Sequence, residues 1–261
     1  MTQALAAIEA AVRQRLDARD SRPFVLGLCG SQGSGKSTVS AALERVLAAD
    51  GIGCVTLSLD DLYKTKTERE RLAREVHPLF ATRGPPGTHD LDLAFDLLNA
   101  LEQGRAGRVP RFDKARDDRR PDADWDVAPA DMQVLILEGW FVGARPQSVE
   151  ALAEPVNALE RDEDREGRWR GFANAALAGD YQRLFARIDL LVLLAAPGFD
   201  IVRRWRGEQE AKLRAEGRGG MSEAELDRFV QHYERLTRHI LADMPDYADL
   251  VIRLDPERRV V

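Results

Sequence analysis

The chain has 261 residues, of which 44% are hydrophobic and 31% are charged, and its formal net charge is −6. This apolar content is enough to form a core and excludes a disordered or fibrous protein. The acidic balance argues against a general nucleic-acid-binding protein, which normally carries a basic face.

The N-terminal sequence is interrupted by charges and lacks the continuous apolar segment of a signal peptide. The longest apolar run, residues 190–197, is far shorter than the roughly 20 residues that a membrane-spanning helix needs. Cys29 and Cys54 each lie in an apolar run, so we expect both to be buried thiols. We therefore expect a soluble, cytoplasmic protein that acts without a membrane.

The predicted elements begin with an amphipathic helix within residues 1–20. After Pro23, residues 24–29 (FVLGLC) predict a buried strand, a glycine-rich loop follows, and residues 38–47 resume a helical pattern. Residues 54–59 (CVTLSL) predict the next strand. This order of strand, loop, helix and strand is a βαβ unit, which implies a parallel sheet with helices on its faces.

Three further apolar runs predict strands at residues 134–137, 190–194 and 250–254. Together the runs predict an α/β fold with a doubly wound, five-stranded parallel sheet in a single domain, residues 1–261.

Two long segments interrupt this pattern. Residues 65–131 are polar, with one helix candidate at 91–101 that Thr88 or Asp90 would cap. Residues 145–180 separate the third and fourth predicted strands. Because loops of this length inside a compact domain are usually functional or disordered, we expect 65–131 to form part of a site.

Residues 30–37 (GSQGSGKS) match the phosphate-binding pattern GxxxxGK[ST] at every fixed position, between a strand and a helix. The glycines let backbone N–H groups surround phosphates, and the helix dipole adds positive potential. Lys36 would neutralise β- and γ-phosphate charge, and the Ser37 hydroxyl would coordinate Mg²⁺. The predicted ATP-binding residues are Gly30, Ser31, Gln32, Gly33, Ser34, Gly35, Lys36, Ser37 and Thr38.

Carboxylates follow two of the predicted strands. Asp60 and Asp61 end the second, where Asp60 could accept a proton from a bound hydroxyl, although both could simply cap the next helix. Glu138 ends the third strand, as an acidic residue that holds Mg²⁺ would, unless it is an ordinary strand-end glutamate. Such residues meet at the carboxyl edge of a parallel sheet, where ligands bind.

Arginines cluster after the fourth strand, in residues 203–220. The arginines of this cluster could close over the phosphates as a lid and stabilise transition-state charge. The alternative is a solvated helix with Glu–Lys pairs.

The motifs together resemble the uridine kinase, phosphoribulokinase and pantothenate kinase group of P-loop kinases, and more specifically the D-glycerate 3-kinases and their bacterial homologues. The resemblance rests on DDLY (60–63), RGPPGTHD (83–90), VPRFDK (109–114), LEGWFVG (137–143), PVN (155–157) and WRGEQEAKLR (205–214), so it covers most of the chain.

The resemblance implies ATP-dependent phosphorylation of the 3-hydroxyl of D-glycerate, with Asp60 as base, Glu138 at the metal and Arg204 and Arg206 in the lid. Arg83, Arg111 and Lys114 could bind the carboxylate of such an acceptor, and His89, Asp90 and Asp113 could bind its hydroxyls. His89 could instead cap a helix or make a structural hydrogen bond. The full set of predicted acceptor-binding residues is Asp60, Tyr63, Arg83, His89, Asp90, Arg111, Asp113 and Lys114.

Two other functions stay open on the sequence. One is a kinase for a different small metabolite, such as a nucleoside or a pantothenate-like molecule, and the other is a non-catalytic ATP-binding regulator or a P-loop ATPase with a protein client. Lys36, Ser37, Asp60 and Glu138 are all present, which favours catalysis. A uracil site would require aromatic stacking and amide donors, whereas the insertion offers Arg, His and Asp.

Overall fold

The computed structural model describes residues 2–16, 23–215 and 220–261. The strands of the described residues are β1 (Phe24–Gly30), β2 (Cys54–Ser58), β3 (Gly107–Val109), β4 (Phe112–Asp113), β5 (Asp118–Arg119), β6 (Asp126–Ala128), β7 (Val134–Gly139), β8 (Leu190–Ala195) and β9 (Leu250–Arg253). The centre of the fold is a parallel sheet in the order β2-β7-β1-β8-β9, and two small antiparallel sheets, β3-β6 and β4-β5, lie in the insertion between β2 and β7.

The helices of the described residues connect these strands. They are α1 (Thr2–Leu16), α2 (Lys36–Ala49), α3 (Lys66–Glu75), α4 (Asp92–Glu102), α5 (Ala158–Glu163), α6 (Arg168–Ala176), α7 (Gln182–Phe185), α8 (Phe199–Ala215) and α9 (Glu223–Asp243).

Alternate residues of the central strands pack on opposite faces of the sheet. Leu26 and Leu28 of β1 pack in one cluster with α1 and α2, whereas Val25 and Cys29 pack in another with α4, α7 and α9. Successive side chains of a strand point to opposite faces, so a continuous apolar run is what a strand buried on both sides requires. The doubly wound five-stranded sheet predicted from the sequence is confirmed.

The insertion contains a helix that the apolar pattern did not predict. Seven of the ten residues of helix α3 are charged, but Thr65 and Glu68 form a reciprocal capping box at its start. Arg69 of this helix is buried, with a relative exposure of 1%. The predicted helix at 91–101 exists as α4, but Leu91 is its N-cap and makes no side-chain cap hydrogen bond, so the predicted caps Thr88 and Asp90 are wrong.

The predicted N-terminal helix and lid extend beyond the described residues. Of the segment 1–20, residues 2–16 form α1, and Met1 and residues 17–20 lie outside the description. Of the segment 203–220, residues 203–215 belong to α8, and 216–219 lie outside the description. Within the part of the chain that the structure describes, no helix combines the length and apolar character needed to cross a membrane.

Candidate active site

The glycine-rich loop lies between β1 and α2 and has the backbone that its glycines allow. Gly33 has φ 77° and Gly35 has φ 94°, a left-handed conformation that side chains disfavour. A Cβ atom on Gly33 would also lie 2.6 Å from Cβ of Trp205 on α8. Gly35 is the N-cap of α2 and supplies no capping side chain, which leaves the first-turn N–H groups for an anion.

Two hydroxyl groups in the loop also indicate a ligand-binding site. The Oγ atoms of Ser31 and Ser34 are buried and have no hydrogen-bond partner among the described residues. Buried polar atoms normally have a partner, so an unsatisfied pair in an anion-binding loop fits a loop shaped to hold a ligand.

Lys36 and Ser37 begin α2 at the mouth of the loop. The Lys36 Nζ atom donates to the carbonyl oxygen of Ser31, 3.1 Å away, and Ser37 Oγ donates to Glu138 Oε1 at 3.1 Å. Glu138 is 6% exposed, near the carboxyl end of β7, where it pairs with Leu28 of β1 and Ser58 of β2. The sheet therefore brings three strand ends together around this loop.

The pair of Ser37 and Glu138 fits a magnesium ion. Mg²⁺ is usually held by one or two protein oxygens and completed by phosphate oxygens and water, rather than by an all-protein cage. A hydroxyl and a carboxylate in hydrogen-bond contact beside a phosphate loop are such a donor set. Among the described residues, no group of three or more His, Cys, Asp or Glu forms a separate metal site.

Asp60 lies just after β2 and lines the same cleft as Lys36. Its Oδ1 accepts from Tyr63 Oη at 2.7 Å, and its Oδ2 accepts from Lys114 Nζ at 2.7 Å. Burial alone would raise the pKa of Asp60, but the charge of Lys114 and the hydrogen bonds from Lys114 and Tyr63 outweigh it and hold the pKa below its ordinary value. Asp60 is therefore ionised at neutral pH.

Asp61 has a different role from its neighbour. Its Oδ2 accepts from Arg111 Nη1 at 3.1 Å, and its Oδ1 accepts from the backbone of Phe112 at 3.1 Å. Burial, together with the like charge of Asp60, raises the pKa of Asp61. Asp61 therefore anchors the insertion to the end of β2.

The phosphate loop, Asp60 and Glu138 border one cleft of about 240 Å³. Of the residues that the sequence singled out, Gln32, Gly33, Gly35, Lys36, Ser37, Thr38, Asp60, Tyr63, Arg83, Lys114, Glu138 and Arg206 line it. Gly139, Trp140, Gln209, Phe229 and Tyr233 line it as well and were not predicted. Phe229 and Tyr233 lie one helical turn apart on α9, a spacing that predicts a shared face but not which cavity this face meets.

Several predicted acceptor residues do not line the cleft. The guanidinium of Arg111 pairs with Asp61 and, at 2.8 Å, with Asp126. Asp113 accepts from the backbone N–H groups of Ala115 and Arg116 and so shapes a turn. The structure thus corrects the expectation that Arg111 and Asp113 contact an acceptor, because local partners already occupy both side chains.

His89 and Asp90 also lie behind the cleft. His89 is 4% exposed, its Nδ1 is 2.7 Å from Tyr181 Oη, and its ring stacks on Tyr63 with centroids 4.6 Å apart. Burial lowers the pKa of His89 to about 3, so it is a neutral structural group at neutral pH. Asp90 pairs with Arg119 at 2.9 Å, which places both side chains in a structural ion pair.

The two lid arginines of α8 separate in the structure. Arg206 lines the cleft, pairs with Glu210 and lies over the Phe229 ring, 5.0 Å from its centroid. Arg204 is exposed and pairs with Glu208 at 3.2 Å and with Glu257 at 3.4 Å, outside the cleft. The expectation for Arg204 is therefore corrected, since it has the solvated-helix environment that was the alternative.

The turn after β9 reaches the phosphate loop. Arg258 Nε donates to the carbonyl oxygen of Gly33 at 2.6 Å, and its Nη2 pairs with Glu208 at 2.7 Å. The Arg258 guanidinium lies 5.0 Å from the centroid of the Trp205 ring. This residue thus connects the turn, the loop and α8.

Gly84 follows the cleft residue Arg83, and its substitution should lower the stability of the fold. Its φ is +125°, and an added Cβ atom would lie 2.3 Å from Tyr233 Oη. We expect Gly84→Ala to lower the free energy of unfolding by about 1–3 kcal/mol, because of overpacking and backbone strain. Urea denaturation would measure this loss.

Gly171→Ala is the matched control for Gly84→Ala, because an added Cβ atom there meets nothing within 4 Å and the residue lies inside α6. We expect this control to be neutral or to gain up to about 1 kcal/mol. Equal stabilities for the two variants would contradict the packing described at Gly84.

Comparison with known proteins decides the class of this site. Residues 25–157, about half of the chain, match the model of the phosphoribulokinase/uridine kinase family. The chain belongs to this family. The kinase is 38% identical over 228 residues to the uncharacterized kinase mug58 of Schizosaccharomyces pombe, covering 82% of this chain and 79% of that protein.

Two further relatives carry a more specific name. The kinase is 30% identical over 253 residues to the chloroplastic D-glycerate 3-kinase of Arabidopsis thaliana, covering 93% of this chain but 52% of that protein. A solved D-glycerate 3-kinase from Cryptococcus neoformans matches 98% of this chain and 97% of its own, with a TM-score of 0.83 and 23% identity, which shows a shared fold. The family resemblance drawn from the sequence motifs is confirmed.

Proposed function

We propose that this kinase transfers the γ-phosphoryl group of Mg–ATP to a small hydroxy acid, and that D-glycerate is its acceptor. The observation that carries the proposal is that one cleft holds an ionised carboxylate, Asp60, together with the phosphate loop and two cationic side chains, Arg83 and Lys114. A base beside cations suits an acceptor that offers a hydroxyl group and carries a negative charge.

The phosphate loop supplies the nucleotide end of the cleft. The first-turn amides of α2 would surround the phosphates, and Lys36 would leave the Ser31 carbonyl to compensate γ-phosphate charge. Ser37 and Glu138 would hold Mg²⁺, which neutralises charge on the β- and γ-phosphates. Arg206, held by Glu210 and Phe229, faces the same space and would stabilise charge that develops during transfer.

Asp60 orients the acceptor at the other end. The acceptor oxygen would attack the γ-phosphorus while the bond from that phosphorus to the β–γ bridging oxygen breaks, and the hydroxyl proton would pass to Asp60. ADP leaves as the second product. Tyr63 fixes one oxygen of Asp60, so the carboxylate keeps a defined orientation toward the acceptor.

The relatives support the identity of the acceptor. The Arabidopsis protein named D-glycerate 3-kinase aligns with 93% of this chain, whereas the name of mug58 specifies only a kinase. In D-glycerate, the single carboxylate matches Arg83 and Lys114, and the 3-hydroxyl matches Asp60. Because related sites on one fold act on different acceptors, the choice needs a direct test.

An ADP-release assay with ATP, Mg²⁺ and a panel of acceptors provides that test. The panel contains D-glycerate, L-glycerate, glycolate, uridine and pantothenate. We expect the highest kcat/KM for D-glycerate. A higher value for uridine or pantothenate would replace the acceptor, and ATP binding without turnover of any acceptor would favour a regulator.

Lys114→Ala should change the pH dependence of the reaction. A carboxylate base works only when it is ionised, so activity is present above its pKa and is lost as the pH falls through it. The Lys114 charge lowers the pKa of Asp60 against the effect of burial. Removing that charge should move the acid limb of the kcat/KM profile to higher pH.

The profile is measured for the wild type, for Lys114→Ala and for the control Lys66→Ala, whose side chain is exposed. The wild-type rate should not fall through titration of Asp60 between pH 8 and pH 5. Superimposable acid limbs in the wild type and Lys114→Ala would remove Lys114 from this role.

A further inference from the structure

The turn of the β4–β5 hairpin carries Asp117, which does not line the cleft but contacts Arg83, a residue that does. Asp117 has φ 55°, a left-handed backbone that Asp adopts more readily than most residues. Lys114, which contacts Asp60, belongs to the same turn. The hairpin therefore delivers one charge of each sign to this end of the site.

The Asp117 carboxylate bridges two arginines. Its Oδ1 pairs with Arg83 Nη1, and its Oδ2 pairs with Arg69 Nη2 at 2.6 Å. Arg69 is buried and also donates to the carbonyl oxygens of Lys64 at 2.6 Å and Asp117 at 2.9 Å. Both guanidinium groups lie against the Phe112 ring, 5.6 and 5.8 Å from its centroid.

The two arginines differ in burial and therefore in role. The side chain of Arg69 is 1% exposed, whereas that of Arg83 is 30% exposed and lines the cleft. A buried charge requires a partner of opposite sign, so the negative charge of Asp117 is needed chiefly by Arg69. Arg83 thereby gains a fixed orientation from Asp117 while much of its own charge stays available to a ligand.

The charges of this end of the cleft do not cancel. Three cations, Arg69, Arg83 and Lys114, meet two carboxylates, Asp60 and Asp117, which leaves a single positive charge. The low pKa of Asp60 keeps this balance at neutral pH. An acceptor with one negative charge would complete it.

We infer that Asp117 is a positioning residue that aims Arg83 at the acceptor and sets the acceptor end of the cleft to favour monoanionic over dianionic hydroxy acids. The inference rests on the proposed function, because it takes the acceptor to lie beside Asp60. It deepens that proposal by assigning selectivity for acceptor charge to a residue outside the cleft.

The test compares D-glycerate with hydroxymethylmalonate, a dianion that carries the same primary alcohol group. The wild type should prefer D-glycerate. Asp117→Asn retains an oxygen for the arginines but leaves two uncompensated positive charges, so the ratio of kcat/KM values should shift toward the dianion about tenfold, as a hydrogen bond to a charged group allows. The KM for ATP should stay unchanged.

A double variant separates charge from geometry. Combining Arg69→Met with Asp117→Asn removes the buried cation along with the carboxylate, so the net charge returns to its original value. The double variant also contains no unpaired Arg69, so a folding defect from that buried charge does not arise. This variant should recover the preference for D-glycerate. Asp124→Asn, which removes an exposed carboxylate elsewhere in the insertion, should leave the ratio unchanged.

The outcomes distinguish failure of the proposed function from failure of the inference about Asp117. A wild type that phosphorylates neither compound overturns the proposed function. Two results would overturn the inference alone, provided that the wild type phosphorylates D-glycerate. One is the same ratio of kcat/KM values in Asp117→Asn as in the wild type. The other is a shifted ratio that persists in the double variant.

Discussion

Replacing Lys36 with alanine is expected to lower kcat by about 10³, the size of loss seen when one group that stabilises transition-state charge is removed. Lys36 begins α2 at the phosphate loop, and its Nζ atom is within hydrogen-bond distance of the Ser31 carbonyl. It is thus held at the mouth of the loop, where the transferred phosphoryl group would lie. Alanine keeps the helix but leaves that charge uncompensated.

The rate of Lys36→Ala is measured as ADP release at saturating ATP and acceptor, beside a thermal melt that should match the wild type. Lys66→Ala, with an exposed side chain at the start of α3, removes the same charge away from the loop and should retain the wild-type rate. A Lys36→Ala enzyme within a few-fold of the wild type would show that the loop does not act on a transferred phosphoryl group.

Replacing Asp60 with asparagine should lower kcat by about 10²–10⁴, the usual contribution of a general base. The substitution preserves the size of the side chain and an oxygen that can accept from Tyr63, so nucleotide affinity should be nearly unchanged. What it removes is the ability to take the proton of the acceptor hydroxyl. The loss should therefore appear in kcat far more than in the KM for ATP.

Nucleotide titration and single-turnover kinetics would separate these effects for Asp60→Asn. Asp61→Asn is an informative companion, because Asp61 contacts Arg111 and the Phe112 backbone instead of the cleft. We expect Asp61→Asn to reduce stability rather than the chemical rate. A normal single-turnover rate in Asp60→Asn would exclude the residue as the base.

The strands and the phosphate loop were predictable from the sequence because each depends on residues that are close together in the chain. The apolar runs of β1, β7 and β8 predicted a sheet buried on both faces, because such strands need no alternation of polar residues. The phosphate loop was equally predictable, since Gly33 and Gly35 must adopt positive φ values. Parallel strands then place Asp60 and Glu138 at one edge without further information.

The acceptor end was harder to predict because its insertion is rich in both arginine and aspartate. Sequence spacing does not reveal that Arg111 pairs with Asp126, that Arg119 pairs with Asp90, or that Asp117 holds Arg83. These pairings join residues 15, 29 and 34 positions apart in the chain, and each removes a candidate from the cleft or adds a supporting residue behind it. Helix α3 was missed for a related reason, since its surface is charged and its capping box was its only clear signal.

The contact of Arg258 with Gly33 joins residues 225 positions apart in the chain. The nucleotide pocket can therefore reach its final shape only after the sheet has gained its last strand, β9. By thermodynamic linkage, a nucleotide bound at the loop would in turn stabilise the turn at residues 255–259 and slow amide exchange there. Nucleotide bound at the loop after the central strand β1 would thus be detectable in the turn after the edge strand β9.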